Sequence, residues 1–337
     1  MTLKKTYLIE INHDLIKSTK EIKLRYNQHL GDCMTNPIFS NQNQPPRIEN
    51  GAWEVDWTMH GDDILANIPQ GVNTVNVFVG GFDANNNWQI DSRSVMDQKI
   101  PSTSPFYDPK NPNATYLQKF VDECHAKGIM VKMSLGGSSA GWCGNTWDAL
   151  KTKGIAACGD EIVDFCKNNQ LDGIDFDFEE WDQPDQTALE QNVGKLISYV
   201  KTQNPSLETS LCTNAGFSTW QGHMKNILDA ATQASGGKCP LDRMYIMSYY
   251  DPQSSEQAWV GQWAQWLQTE YQFTPAQISV GLDDVDAHAY DIKQFAEWAK
   301  SQGYSTCYWA WGWNGGDPTA SNQSTNAIWN IYHSDQS

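Results

Sequence analysis

The stretch Leu171-Asp172-Gly173-Ile174-Asp175-Phe176-Asp177-Phe178-Glu179-Glu180-Trp181 places acids at positions 172, 175, 177 and 179, with Ile and Phe between them. On a β-strand successive side chains point to opposite faces, so Asp175, Asp177 and Glu179 share one face and Ile174, Phe176 and Phe178 the other. Neighbouring acids on such a face stand about 6.6 Å apart at Cα, two residues of strand rise. At that spacing they repel one another and favour holding a proton among them. A solvent-washed acidic strand is the plain alternative, but the Gly, Ile and Phe residues around the acids predict a strand buried on its apolar side. The acidic face then borders a barrel interior or a cleft. Carboxylates that share a proton in a cleft are equipped for general acid–base work. Glu180 falls on the other parity and is expected to be solvated or salt-bridged. Asp172, off parity at the strand entrance, is expected to be a structural hydrogen-bond acceptor.

Strand and helix signals alternate from residue 47 onward, which predicts a parallel α/β architecture. Expected strands cover residues 50–57, 74–79, 129–135, 208–213, 243–249, 277–282 and 305–311 besides the acidic one. Helices are expected to open at Asp62, to cover 116–127 with Gly128 as the stop, to cover 186–202 with Leu189, Val193, Leu196, Ile197 and Val200 on one face, to begin near Tyr290, and to close the chain over 322–334. The polar stretch from Gly80-Gly81 to about residue 112 is the longest expected loop and a candidate groove wall. Residues 1–46 end in Asn41-Gln42-Asn43-Gln44-Pro45-Pro46 and read as an appendage to a domain over 47–337.

Composition narrows the partners. The 337-residue chain carries a formal charge of −17, from 23 Lys and Arg against 40 Asp and Glu. That argues against nucleic acid or an anionic membrane as partner, since both select a basic face. A neutral or cationic polymer fits better. The 15 Trp, 13 Tyr and 11 Phe supply flat rings suited to the apolar faces of sugars, although many must serve as core fillers. The eight cysteines are scattered without zinc-site spacing; Cys124, Cys166, Cys212 and Cys307 read as buried thiols, and Cys143 and Cys158 flank an expected loop across which they could pair. Acids and polar residues interrupt the first turns before a signal-peptide core forms, and no apolar run reaches membrane-spanning length. No repeat, low-complexity tract or separate binding module is visible, and a monomer is expected.

The string Asp-x-x-Asp-x-Asp-x-Glu, filled by Asp172, Asp175, Asp177 and Glu179, resembles the signature of glycoside hydrolase family 18, the chitinase family. Ser134-Leu135-Gly136-Gly137, one βα unit earlier, matches that family's Ser-x-Gly-Gly at the end of strand three, and Ser134 is read as a hydrogen-bond donor to a buried Asp175. Met247-Ser248-Tyr249 resembles its Met-x-Tyr-Asp, with a departure: Tyr250 fills the fourth place and the acid follows at Asp251. Parity puts Tyr245, Met247 and Tyr249 on one face, which makes Tyr249 the phenol of the site. Trp309 and Trp311 compete for the Trp that floors the family's sugar site, and Trp309 is preferred.

The resemblance implies a (β/α)₈ barrel with the acids at the end of strand four, where such barrels carry their chemistry. The short connection between strand seven and the next helix leaves no room for an α+β insertion, so an open groove and endo action are expected. The family is a substrate-assisted exception among retaining glycosidases. By resemblance, Glu179 protonates the glycosidic oxygen, Asp177 orients the 2-acetamido group that attacks the anomeric carbon, Tyr249 bonds its carbonyl, Trp309 walls the ring, and Asp175 shares a proton with Asp177. Ser134, Met247, Tyr250, Asp251 and Trp311 are the remaining candidate substrate-binding residues. No metal or organic cofactor is implied, and an extracellular location is expected from the family. A chitinase on chitin or N-acetylglucosamine oligosaccharides is the first expectation; an endo-β-N-acetylglucosaminidase on N-glycans and a non-catalytic chitin-binding lectin are the alternatives.

Overall fold

The computed structural model describes residues 46–55, 60–91, 93–137, 146–180, 183–283, 291–311 and 318–334. Among these residues nine strands form one sheet: β1 (Asn50–Val55), β2 (Thr74–Phe82), β3 (Trp88–Ile90), β4 (Met130–Gly137), β5 (Gly173–Phe178), β6 (Glu208–Asn214), β7 (Arg243–Met247), β8 (Ile278–Leu282) and β9 (Ser305–Trp311). Eight of them run parallel in the order β1-β9-β8-β7-β6-β5-β4-β2, and β1 pairs with β2 to close the barrel. The exception is β3, which folds back antiparallel on the end of β2. The helices α1 (Gly61–Ala66), α2 (Tyr116–Ala126), α3 (Asp148–Thr152), α4 (Ile155–Asn168), α5 (Gln186–Gln203), α6 (Phe217–Ala234), α7 (Gln253–Tyr271), α8 (Ile292–Ser301) and α9 (Pro318–His333) lie between and after the strands. This is the α/β TIM barrel expected from the motifs.

Alternation along β5 sorts its side chains as the sequence predicts. Ile174, Phe176 and Phe178 belong to the large core between strands and helices, together with Leu189, Val193, Leu196, Ile197 and Val200 of α5. Each such side chain stabilises the fold by roughly 1.5–3 kcal/mol when fully buried. A second, smaller cluster occupies the barrel interior: Trp53, Phe78, Val79, Cys212, Tyr245, Met247, Tyr249 and Cys307. The helices are started by local chemistry where the sequence supplies it. Thr115 and Gln118 form a reciprocal capping box at α2, and Asp291 accepts from the Lys293 and Gln294 amides at α8.

Several elements depart from expectation. The polar stretch after β2 contains β3, because Phe82 and Trp88 pair ring-to-edge across the hairpin at 5.4 Å. Cys158 lies inside α4, buried, rather than beside a loop, while Cys143 lies outside the described residues. Helices α3, α4, α6 and α7 are not among the expected elements; α4 and α6 nevertheless carry a clear apolar stripe, whereas in α7 the apolar residues are spread around the helix and the stripe is weak. The appendage expected over residues 1–46 falls, except for Pro46, outside the described residues. No described helix is long and apolar enough to cross a membrane.

Asp172 takes the structural role expected of it. Its Oδ2 accepts the Val131 amide at 2.8 Å and meets His125 Nε2 at 2.8 Å, tying the last turn of α2 to the starts of β4 and β5. The hydrogen bond to Asp172 raises the His125 pKa against the opposing effect of burial. A histidine whose folded pKa is raised contributes stability that is complete below its unfolded value, about 6.5, and is lost as pH rises through the folded value. His125→Gln should therefore lower the melting temperature more at pH 5.5 than at pH 9. Thermal melts of both proteins across that range check this, and an equal deficit at both ends would refute it.

Candidate active site

The register of β4, β5 and β6 stacks the acidic strand in layers. Lys132, Gly173 and Glu208 align in one layer, Ser134, Asp175 and Ser210 in the next, and Gly136, Asp177 and Cys212 above them. Glu179 follows the last residue of β5, at the C-terminal end of the barrel where the strands deliver chemistry.

Asp175 is fully buried. Its Oδ2 accepts from Ser134 Oγ at 3.0 Å, the contact expected from the sequence, and its Oδ1 from Ser210 Oγ at 2.7 Å. Burial pushes its carboxyl up to about 6, while Lys132 and the two serine hydroxyls pull the other way. Asp177 is also buried, and it is pushed well above the usual carboxylate range, first by burial and then by the charges of Glu179 and Asp175. Its Oδ1 has no hydrogen-bond partner among the described residues. Gly136 lets β4 pass this close: a Cβ there would stand 2.3 Å from the Asp177 carbonyl oxygen, and its φ of +114° suits glycine alone. Glu179, at the rim, is half-buried.

Glu180 corrects an expectation. It is 5% exposed and makes no ion pair among the described residues, with Oε2 accepting from Gln183 Nε2 at 3.2 Å and its carboxyl raised by burial. The strand ends at Phe178, so alternation no longer governs the residue two places on. Gln186 Nε2 holds the Glu180 carbonyl at 2.9 Å and Glu190 Oε1 at 2.6 Å, anchoring the segment behind Glu179 to α5.

Tyr249 lies near Asp177 and Glu179, whose charges act on its phenol, and Trp309 packs against Tyr249. Their rings stack at 6.1 Å and 17°, and Trp309 meets Trp53 at 5.5 Å and Phe78 at 5.7 Å edge-to-face. Tyr249 is buried, and burial together with Tyr250, Cys212, Glu179 and Asp177 raises its phenol well above the ordinary value. It therefore remains a neutral O–H donor. Met247 is packed in the same cluster, as parity predicts. Tyr250 packs edge-on against Tyr249 at 4.7 Å yet is 47% exposed. Asp251 is exposed, away from the buried row, and its amide, like that of Tyr250, donates to Glu256 Oε1 at 2.9 and 3.0 Å. The Trp311 side chain lies outside the described ones.

The residues that sequence reading missed are Ser210 and Lys132, which support the row from beside and below, Glu49 in the same network, and Glu256 behind the turn after β7; Tyr245, placed by parity, joins the network through Lys132 and Glu49. Lys132 carried a signal, since a lysine at the parity of Ser134 interrupts an otherwise apolar strand. Among the described residues, no group of His, Cys, Asp and Glu is arranged to hold a metal ion. A half-buried carboxyl at the strand end, beside a buried one raised well above the ordinary carboxylate range and with a phenol donor nearby, is an arrangement suited to acid–base work.

No family model and no curated protein matches the sequence. Solved structures do. A GH18 chitinase from Pseudoalteromonas aurantia is 18% identical, with a TM-score of 0.57 over 81% of this chain and 99% of that one. A class V chitinase mutant from Nicotiana tobaccum in complex with NAG4 is 11% identical, with a TM-score of 0.55 over 85% and 100%. The chitinase-like agglutinin from Robinia pseudoacacia is 13% identical, with a TM-score of 0.54 over 83% and 99%. With its closed barrel, its acid row at the strand ends and these neighbours, the chain has the fold of the glycoside hydrolase family 18 chitinases.

Proposed function

We propose that this protein is a chitinase of glycoside hydrolase family 18, cleaving β-1,4-linked N-acetylglucosamine polymers with the sugar's own acetamide as nucleophile. The observation that carries the reading is Asp177, buried between Asp175 and Glu179, pushed towards its neutral form, with one oxygen that has no hydrogen-bond partner among the described residues. A carboxyl in that condition is suited to orienting a polar group of a bound sugar rather than to attacking carbon as a free anion.

Glu179 gives its proton to the glycosidic oxygen as the C1–O bond breaks, and the acetamido carbonyl oxygen closes on C1 to form an oxazolinium ion. Asp177 orients the acetamide, Tyr249 donates to its carbonyl oxygen, and Trp309 walls the ring. Water then adds to C1, its proton returns to Glu179, and the acetamide is restored with the β configuration retained. Residues 283–291 are all that join β8 to α8, which supports an open groove and cutting within the polymer. A lectin without turnover is the competing reading, because an agglutinin shares the barrel. Glu179, in place at the strand end, favours turnover.

Glu179→Gln should keep the fold and oligosaccharide binding and lower turnover by at least the roughly 10²–10⁴ typical of losing a general acid. Initial rates on N-acetylchitooligomers, beside a high-mannose glycoprotein, test both the acid and the substrate class; near-wild-type turnover in the variant would remove the assignment, and cutting of the glycoprotein alone would replace chitin by N-glycans.

Tyr249→Phe should reduce kcat by roughly 10²-fold, the scale of losing one donor to developing charge, and Tyr250→Phe by far less. The reverse ranking would give the phenol role to Tyr250.

Early-time NMR of the product should show the β-anomer first, and a cyclic thiazoline should inhibit because it copies the oxazolinium ion. An α-anomer first, or efficient cutting of cellulose oligomers, would exclude substrate assistance.

A further inference from the structure

Lys132 lies wholly inside the barrel, one layer beneath the acids. Its stem passes through room left by Gly173, where a Cβ would stand 2.7 Å from Lys132 Cδ. The ammonium has three protons and three acceptors: Tyr245 Oη at 2.7 Å, Ser210 Oγ at 3.0 Å and Glu208 Oε1 at 3.2 Å. Because Ser210 accepts from Lys132, its own proton must point elsewhere, and it goes to Asp175 Oδ1 at 2.7 Å. Ser134 donates to Asp175 Oδ2 at 3.0 Å. With both oxygens accepting, Asp175 is held in the arrangement of a carboxylate, not of a carboxylic acid, which would need to donate. Asp177, one layer above, has an oxygen with no such donor among the described residues.

We propose that Lys132 is a positioning residue that, through Ser210, keeps Asp175 ionised and so assigns the proton shared by the acid row to Asp177. The inference rests on the reading of the site given under Proposed function and deepens it. On Asp175 the proton would lie a layer below the reacting atoms; on Asp177 it lies beside Glu179, where the acetamide is oriented. The direction agrees with the acidities, for Lys132 and the serines restrain Asp175 to about 6 while Asp177 is driven well above its usual range.

The other ionisable groups around Lys132 do not cancel its effect. Glu208 on β6 and Glu49 before β1 are shared with Arg243 of β7, whose Nε stands 3.3 Å and 3.0 Å from them, and Arg47 lies 3.7 Å from Glu208. Tyr245 on β7 and Cys307 on β9 have their acidities suppressed by burial and stay neutral. Asp175 itself faces Asp177 on its own strand, and Glu49 and Lys132 from outside it.

The test is a carboxyl titration of the whole protein labelled with ¹³C at the aspartate side-chain carbon, with Asp175→Asn and Asp177→Asn assigning the two resonances. In the wild type Asp175 should titrate at lower pH than Asp177. Lys132→Met should raise the Asp175 midpoint by about one pH unit or more, a tenfold change in proton affinity. Ser210→Ala, which leaves the lysine in place, should raise it in the same direction and decides the matter alone if Lys132→Met does not fold. An Asp175 midpoint above that of Asp177 in the wild type, or one unmoved in a folded variant, overturns the proposal. The titration needs no turnover, so inactivity of the wild type on chitooligomers would defeat the proposed function while leaving Lys132 to be judged. Where turnover is present, the acid limb of kcat should move upward with the Asp175 midpoint while KM stays within about twofold; a limb that stays put counts against the proposal.

Discussion

The structure depends on keeping a row of carboxylates out of water. Asp175 and Asp177 are both buried, and Glu179 follows them at the rim. Removing such charges from solvent is costly, and their mutual repulsion adds to the cost. The barrel offsets it layer by layer. Ser134 and Ser210 bond Asp175 from the flanking strands, and Lys132 stands beneath with Glu208 and Tyr245. Below that, Arg243 joins Glu208 to Glu49, whose Oε1 accepts from Tyr245 at 2.7 Å. Lys132 and Arg243 pull the Glu208 carboxyl far below its ordinary range, although burial alone would raise it. Barrel interiors of this fold are commonly filled by branched apolar residues. Here much of the lower interior is a chain of ions and hydroxyls, and removing one member would leave a buried charge unpaired, a loss of roughly 3–5 kcal/mol.

Above the polar interior the filling changes to rings. Trp53 of β1, Phe78 of β2 and Trp309 of β9 pack with Tyr249, which follows β7, and Trp53 also meets the ring of Tyr245 from the layer below. Their edge-to-face and stacked contacts bury large ring areas. The Tyr249–Asp251 turn is fixed by Glu256 of α7, whose buried carboxyl accepts both the Tyr250 and Asp251 amides and is pushed up to about 7 by burial. One acid on a helix thus sets where the tyrosines stand, although it touches neither ring.

Much of this was legible from the chain. The alternation of Asp175, Asp177 and Glu179 with Ile174, Phe176 and Phe178 determines a strand whose two faces cannot share one environment, because ions and phenyl groups are not solvated alike. The parity of Tyr245, Met247 and Tyr249 carries the same information for β7, and the off-parity position of Asp172 marks it as a structural acceptor. What alternation could not reach was everything beyond a strand's end or across its edge. Glu180 is buried because Gln183 and Gln186 fold back over it, a fact of the loop and α5 rather than of the strand. Lys132, Ser210 and Glu49 converge from residues far apart in sequence, and a local pattern has no means of pairing them. Which side chains share a face follows from alternation along each strand. Only the closure of β1 on β2, which brings those faces around a common axis, decided which charges meet inside, because hydrogen bonds and ion pairs depend on distance in space and not along the chain.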